Sequence, residues 1–240
     1  MDAEYAQEYR RLYQQHWWWR ARESLILDQL RRCFPLRPVG PVLDVGCGDG
    51  LAFPSLAEFG PVEGVEIDGS VIDSSAPHAS QIHVGPFDES FRPTRQYALI
   101  TMLGVLEHLS NPRQALRHAA GLLLDTGIIL ITVPAFRHLW TSHDDLNHHQ
   151  TRYTRRSLAE LAQQAGLELV RSKYFFHWLY AAKLAVRVKQ RLLKNRPPDV
   201  RIPRSPWNRL LYGLCRAEQQ TLGWIPLPFG SSLLAVGRPH

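Results

Sequence analysis

Cysteine is scarce in these 240 residues: Cys33, Cys47 and Cys215 are scattered, with no Cys-x-x-Cys pair and no Cys/His spacing. That pattern argues against a disulfide framework and against a zinc site, and it fits a reducing compartment. Long apolar runs are missing too, since no uncharged stretch reaches the roughly 18 to 20 residues that a bilayer span requires. The opening stretch, MDAEYAQEYRRLY, is charged where a secretory signal needs an apolar core. A cytoplasmic protein is therefore expected. No internal repeat is visible, and acid is almost absent from one long tract. Between Lys173 and Arg209 the chain carries ten Lys or Arg against the single acid Asp199, within a formal charge of +6 and a pI near 9.5. Such a tract suits anionic lipid, nucleic acid or an acidic substrate, and equally a solvated basic helix face.

What is present is enough apolar material, 45% of residues, to bury a sizeable core in one large domain or one domain with an appendage. Residues 3–34 read as one helix that prolines end near CFPLRP. Short apolar runs then alternate with helical stretches. VLDV, VEGVEID, QIHVGPF, YALITML, IILITVP and LELVRSKYFF read as strands, and residues 51–60, 111–127 and 155–165 as helices. Gly127 is placed to cap the second of these helices, Thr154 to start the third and Gly166 to end it. Several strands are apolar throughout, which predicts a mostly parallel α/β sheet covered on both faces. After Phe176 the alternation breaks into a basic amphipathic helix, a linker and another helix before PLPFGSSLLAVGRP supplies a last strand. The expected organisation is a helical lid over 1–38, a Rossmann-like core over 39–176, a basic helical cap inserted over 177–228 and the last core strand over 229–240.

The stretch VLDVGCGDG, residues 42–50, places a strand, glycines and a helix in the order that suits a nucleotide cofactor. Gly46, Gly48 and Gly50 allow a tight turn and close approach of a ligand. Asp44 is the distinguishing residue, because an anion here would repel the pyrophosphate of a dinucleotide. It suits S-adenosylmethionine, which carries an ammonium and a sulfonium. Glu66, after the second apolar run, can accept from both ribose hydroxyls, with Ile67 beside it. Asp88 can accept from the adenine amino group, and Phe87 or Met102, next to Leu103, can pack on the ring. The alternative is that DVGCGDG is only a structural turn.

With these motifs in hand, the chain resembles the class I S-adenosylmethionine-dependent methyltransferases over roughly residues 16–176, through DVGCGDG, GVLEHL and ITVPA. The resemblance implies seven strands, the last antiparallel and matching SSLLAVGRP. The chain is also similar to a subgroup with HWWF before the fold and HD…H…RRYT after the fifth strand; here these read HWWW and HDDLNHHQTRYT. Through the subgroup's motif, His143, Asp144, His149, Arg152 and Tyr153 become site candidates.

Methyl transfer from a sulfonium asks mainly for alignment and exclusion of water, and for a base when the acceptor must lose a proton. Glu107 and His108 end the fourth strand, where ligands of such sheets bind. His108 can equally cap the following turn. His143 and His149 are candidate bases, with Asp144 orienting an imidazole and Arg152 and Tyr153 contacting the acceptor. The bland alternative for this loop is a latch, in which Arg152 pairs with Asp144 and Tyr153 packs inward. Ubiquinone-biosynthesis O-methyltransferases, which the region is similar to, have Glu-x-x-Glu-His where this chain has Gly104, so no metal is expected.

Three adjacent tryptophans, Trp17, Trp18 and Trp19, fan over roughly 200° of a helix and cannot share one buried stripe. One is expected to anchor the helix while Trp18 faces the acceptor, with Arg22 free for an anionic group. The leading expectation is transfer of a methyl group to oxygen or nitrogen of a small-molecule or lipid-linked acceptor. An RNA methyltransferase and a non-catalytic S-adenosylmethionine-binding protein are the alternatives, the former disfavoured because no nucleic-acid-binding module is visible. Peripheral membrane contact through the basic 181–196 helix is left open, and the oligomeric state is not legible.

Overall fold

A computed structural model describes residues 3–193, 201–223 and 225–240, with side chains from residue 8 to residue 189 in the first segment. Lys194, Arg196, Asp199 and the start of the linker thus lie outside the described residues, as do Met1, Asp2 and Trp224. Two helices, α1 (Ala3–Gln15) and α2 (Trp17–Cys33), precede β1 (Val42–Val45), α3 (Phe53–Leu56), β2 (Val62–Glu66), β3 (Ile82–Val84) and β4 (Tyr97–Leu103). There follow α4 (Pro112–Leu122), β5 (Leu123–Pro134), α5 (Ser142–Leu146), α6 (Arg155–Gln164) and β6 (Leu167–Phe175). The chain then runs through α7 (His177–Leu193), α8 (Ser205–Thr221) and β7 (Ser232–Pro239).

The strands form one sheet in the order β3-β2-β1-β4-β5-β7-β6. All neighbours pair in parallel as far as β5, and β7 runs antiparallel between β5 and β6. Strand residues alternate between two cores, as the two-residue period of a strand dictates. Leu43, Ile100, Ile129 and Ile131 face α4 and α6, while Val42, Leu99, Leu130 and Leu234 face α2 and α8. Burying each such side chain contributes about 1.5–3 kcal/mol, which is why these strands lack polar residues at alternate positions. The chain order reverses between β1 and β4, so the crevice beyond their carboxyl ends is where a ligand is received.

Several expectations need correction. The helix over 3–34 is two helices, because His16 takes an extended conformation (φ −75°, ψ 132°) and its Nδ1 accepts from the Trp18 amide as N-cap of α2. Gly127 does not cap a helix: α4 ends at Leu122, and Gly127 lies within β5. A Cβ there would meet the Tyr97 carbonyl oxygen at 2.8 Å, so the glycine lets two strands approach beside a register shift. The helix over 51–60 shrinks to the four residues of α3, and the third strand to the three of β3. Thr154 does cap α6, and Gly166 (φ +84°) follows its end.

Helices α7 and α8 lie between β6 and β7 in sequence and are tied back to the body. The Trp178 amide donates to Glu218 Oε2 (3.1 Å), and Gln219 Nε2 donates to the Ala21 carbonyl (2.9 Å). Asn208 bridges α8 to the α1/α2 junction, accepting from the Trp17 amide (3.0 Å) and donating to the Gln15 carbonyl (2.8 Å).

Candidate active site

At the carboxyl ends of β1, β2 and β4 a cavity of about 530 Å³ opens, walled on its far side by α1 and α2. Its floor is the turn after β1. Gly46 (φ +67°) and Gly48 (φ +55°) hold left-handed conformations that disfavour side chains, and a Cβ on Gly46 would sit 2.7 Å from a Val105 methyl. Asp44 is buried and accepts a 2.6 Å hydrogen bond from Thr101 Oγ1 of β4. Burial pushes its carboxyl up to about 7, against the opposing pull of that hydrogen bond and of Arg22. Glu66 accepts from the Gly48 amide (2.8 Å) and the Asp68 amide (3.0 Å), tying the end of β2 to the glycine turn. Ile67 and Leu103 line the same cavity, and Ile67 leaves 74% of its surface exposed, an apolar contact with no protein partner over most of its area.

The remaining cofactor candidates are placed elsewhere. Gly50 lines a neighbouring depression behind the turn. Met102 is fully buried in the sheet core and has no face on the cavity. Phe87 packs on Phe91 and His118, and Asp88 accepts from the Ser90 amide (2.8 Å) and hydroxyl (2.6 Å) in a local turn. Neither of them lines the cavity. Both Met102 and Phe87 are taken up by the sheet core, Met102 within it and Phe87 packed against its edge.

Residues the sequence reading passed over make the far wall. Tyr9, Tyr13, Trp19 and Glu23 line the cavity from α1 and α2. Arg10 on α1 is ion-paired to Asp49 of the glycine turn and to Asp73 (3.1 Å), which clasps α1 over the opening. Trp18 does not reach the cavity: it packs on Phe176 with ring centroids 6.0 Å apart, and Trp19 takes the position expected of it. Trp17 anchors the helix against Trp178 (5.6 Å). Arg22 lines the cavity but is not free, since Nη2 donates to Thr132 Oγ1 (2.7 Å) and the guanidinium lies over the Trp18 ring. Trp19 shares a face of α2 with Glu23 (i+4) and Ile26 (i+7), which also line the cavity.

The other end of the site is built from the turn after β4 and the loop after β5. Buried Asp144 accepts from Arg152 Nε (2.8 Å) and Nη2 (3.0 Å), from the Thr141 amide (2.9 Å), and pairs with His149 Nδ1 at 2.8 Å. These bonds outweigh burial and hold its carboxyl far below the usual carboxylate range. Arg152 also donates to the Ala135 carbonyl (2.9 Å), and Tyr153 donates to the Leu106 carbonyl (3.1 Å). Both are buried, so neither is available to an acceptor, and the latch alternative describes them. The latch holds His149 in place: its ring lies 4.8 Å from that of His108, which lines the cavity. His143 is exposed and does not line it. Glu107 is buried with one carboxylate oxygen unpartnered, and burial pushes its carboxyl up to about 7. Ligand atoms of Glu107, His108 and His149 lie within 4.8 Å of one another, so a third ligand-bearing side chain joins Glu107 and His108 although Gly104 supplies none.

A sheet of this order, with an acid ending in a glycine turn and a second acid ending β2, defines the class I methyltransferases, whose methyl donor is S-adenosylmethionine. The chain belongs to the methyltransferase domain family Methyltransf_23, whose model matches residues 18–172. It is 27% identical over 149 residues to the ubiquinone biosynthesis O-methyltransferase of Coxiella burnetii, a match covering 54% of this chain and 64% of that one. Among solved structures, an S-adenosylmethionine-dependent methyltransferase from Archaeoglobus fulgidus superposes with TM-score 0.56 at 17% identity, covering 90% of this chain and 93% of that one. The phosphoethanolamine N-methyltransferase 2 of Haemonchus contortus gives 0.57 at 15%, covering 89% and 52%. Both share the fold, and at these identities the likeness says no more than that.

Proposed function

We propose that the protein transfers the methyl group of S-adenosylmethionine to an oxygen or nitrogen atom of a small-molecule or lipid-linked acceptor, with His149 as the base. The observation that carries this reading is the Asp144–His149 pair, held by a buried arginine next to the cavity residue His108. In the transfer an acceptor lone pair forms the new bond to the methyl carbon while the carbon–sulfur bond breaks and its electrons return to sulfur. A hydroxyl or protonated amine acceptor must also lose a proton. With Asp144 ionised, His149 Nδ1 carries hydrogen toward it and Nε2 keeps the lone pair that can take that proton. At the opposite end, Asp44 offers negative charge to the cationic donor, and Glu66 offers oxygens to its ribose once the Gly48 amide is shared. Tyr13, Trp19 and the α1 clasp exclude water. A relative is named for an O-methylation in ubiquinone biosynthesis, which supports a small or lipid-linked acceptor.

The test is incubation with labelled S-adenosylmethionine and a cell metabolite extract, followed by mass-spectrometric identification of the labelled product. Label in a small organic or lipid fraction supports the reading. Label confined to RNA, or binding of S-adenosylmethionine without any labelled product, overturns it.

A further inference from the structure

Helix α8 presents an apolar stripe that none of the described residues covers. Trp207, Leu210 and Leu214, spaced i, i+3 and i+7 and therefore on one face, are 62%, 60% and 47% exposed. Toward the C-terminal end of the helix Cys215, Glu218 and Gln219 are buried. Exposed Arg204 precedes Trp207 by about one turn and exposed Arg209 stands about 100° around the helix from Leu210, while the only acid of the helix, Glu218, is turned inward on the Trp178 amide. Helix α7 has no acid at all and adds exposed Val186, Val188 and Lys189. The surface contributed by the two helices is thus apolar and cationic, with no exposed carboxylate on either helix among the described residues.

We propose that α8 docks the protein on an anionic lipid surface, with Trp207, Leu210 and Leu214 entering the headgroup boundary and Arg204 and Arg209 meeting lipid phosphates. The charge complementarity selects this occupant: apolar residues on one face flanked by arginines, without interspersed acid, is the composition that holds a helix in a bilayer interface. Tryptophan at the end of the stripe is the residue type that such interfaces favour. This surface is distinct from the 181–196 helix expected from charge alone. Its position is also informative. Asn208, next to Trp207, holds the Gln15–Trp17 junction, so a docked α8 brings the two helices that wall the cavity to the bilayer. The docking stands whether or not the acceptor is itself lipid-linked.

The experiment is flotation of the full chain with phosphatidylcholine vesicles and with vesicles that also contain phosphatidylglycerol. The wild type is expected to float only with the anionic vesicles and to be released by raised salt. Substitution of Trp207, Leu210 and Leu214 together by Gln is expected to lower partitioning at least about tenfold, and Arg204→Gln with Arg209→Gln to lower it by about tenfold. Both variants should keep the wild-type affinity for S-adenosylmethionine in calorimetry and the wild-type thermal transition, since the replaced side chains point away from the body. The proposal is overturned if the wild type stays in solution with anionic vesicles, or if the triple variant floats as well as the wild type. It is overturned equally if light scattering finds a wild-type dimer that the triple variant converts to monomer, because a second copy would then be what covers the stripe.

Discussion

The two ends of the cavity are built by different means. At the proposed donor end the side chains close on a glycine turn: Glu66 accepts from the Gly48 and Asp68 amides, three left-handed glycines make the turn, and Asp44 accepts from Thr101 across 57 residues. At the histidine end the contacts are ionic and gather within one loop around a buried carboxylate, and that loop is tied back to the turn after β4. Tyr153 reaches the Leu106 carbonyl across 47 residues, Gln150 donates its amide to the Glu107 carbonyl, and Asp144 is enclosed by Arg152, His149 and Thr141. A donor site of this kind tolerates variation around a fixed backbone, whereas the histidine end is correct only when a whole buried network is in place.

That contrast predicts that the ends fail differently. The largest effect is expected from Asp144→Asn, which leaves Arg152 buried beside a neutral partner and should cost about 3–5 kcal/mol in urea unfolding. Because the folded-state carboxyl of Asp144 is held below its unfolded value, its contribution is present above about pH 4 and lost as pH falls below it. The acid limb of the wild-type stability curve should therefore flatten in the variant. A wild-type-like melt would mean that the latch carries no stability.

Next comes His149→Asn, expected to lower the rate of labelled product formation by about 10²–10⁴-fold while leaving S-adenosylmethionine affinity unchanged. If the rate instead falls on treating the wild type with a chelator, the trio of Glu107, His108 and His149 holds a cation and His149 is not the base. Under the proposed reading, the chelator leaves the rate unchanged.

At the donor end the expected losses are in affinity. Asp44→Asn should weaken S-adenosylmethionine binding by about tenfold, equivalent to 1.4 kcal/mol. Burial raises the Asp44 carboxyl to about 7, and a cationic ligand prefers the ionised form, so wild-type affinity should rise as pH climbs through 7 and that step should vanish in the variant. A pH-independent affinity in both proteins would remove Asp44 from the donor site. The smallest and most discriminating effect separates two neighbours: Trp19→Ala should raise the acceptor KM several-fold with little change in stability, and Trp18→Ala should do the reverse. Equal behaviour would mean that the face of α2 shared by Trp19, Glu23 and Ile26 does not set which ring meets the acceptor.

That Asp44, Gly46, Gly48 and Glu66 line one cavity was legible in the sequence, because they sit at strand ends that periodicity locates and strand order then brings them together. Ile67 and Leu103 followed for the same reason. Met102 was misplaced because a strand residue's face depends on the alternation of burial, which a fully apolar run such as YALITML hides. At the histidine end the residue types were legible and their partners were not. Whether Arg152 met an acceptor or Asp144 depended on how the irregular loop after β5 folds on itself and on the end of that strand, and no local periodicity encodes that.

By itself the sequence determined the sheet, its two covered faces and the acid-and-glycine turn, since these follow from apolar period, glycine freedom and charge along short stretches of chain. Only the tertiary structure decided that Trp19 and not Trp18 faces the cavity, that Arg152 is committed to Asp144, and that His149 completes a cluster with Glu107 and His108. It also decided which face of α8 stays uncovered. The reason is common to all four. Each depends on which of several chemically equivalent partners is within reach, and reach is settled by how distant segments pack rather than by the segments themselves.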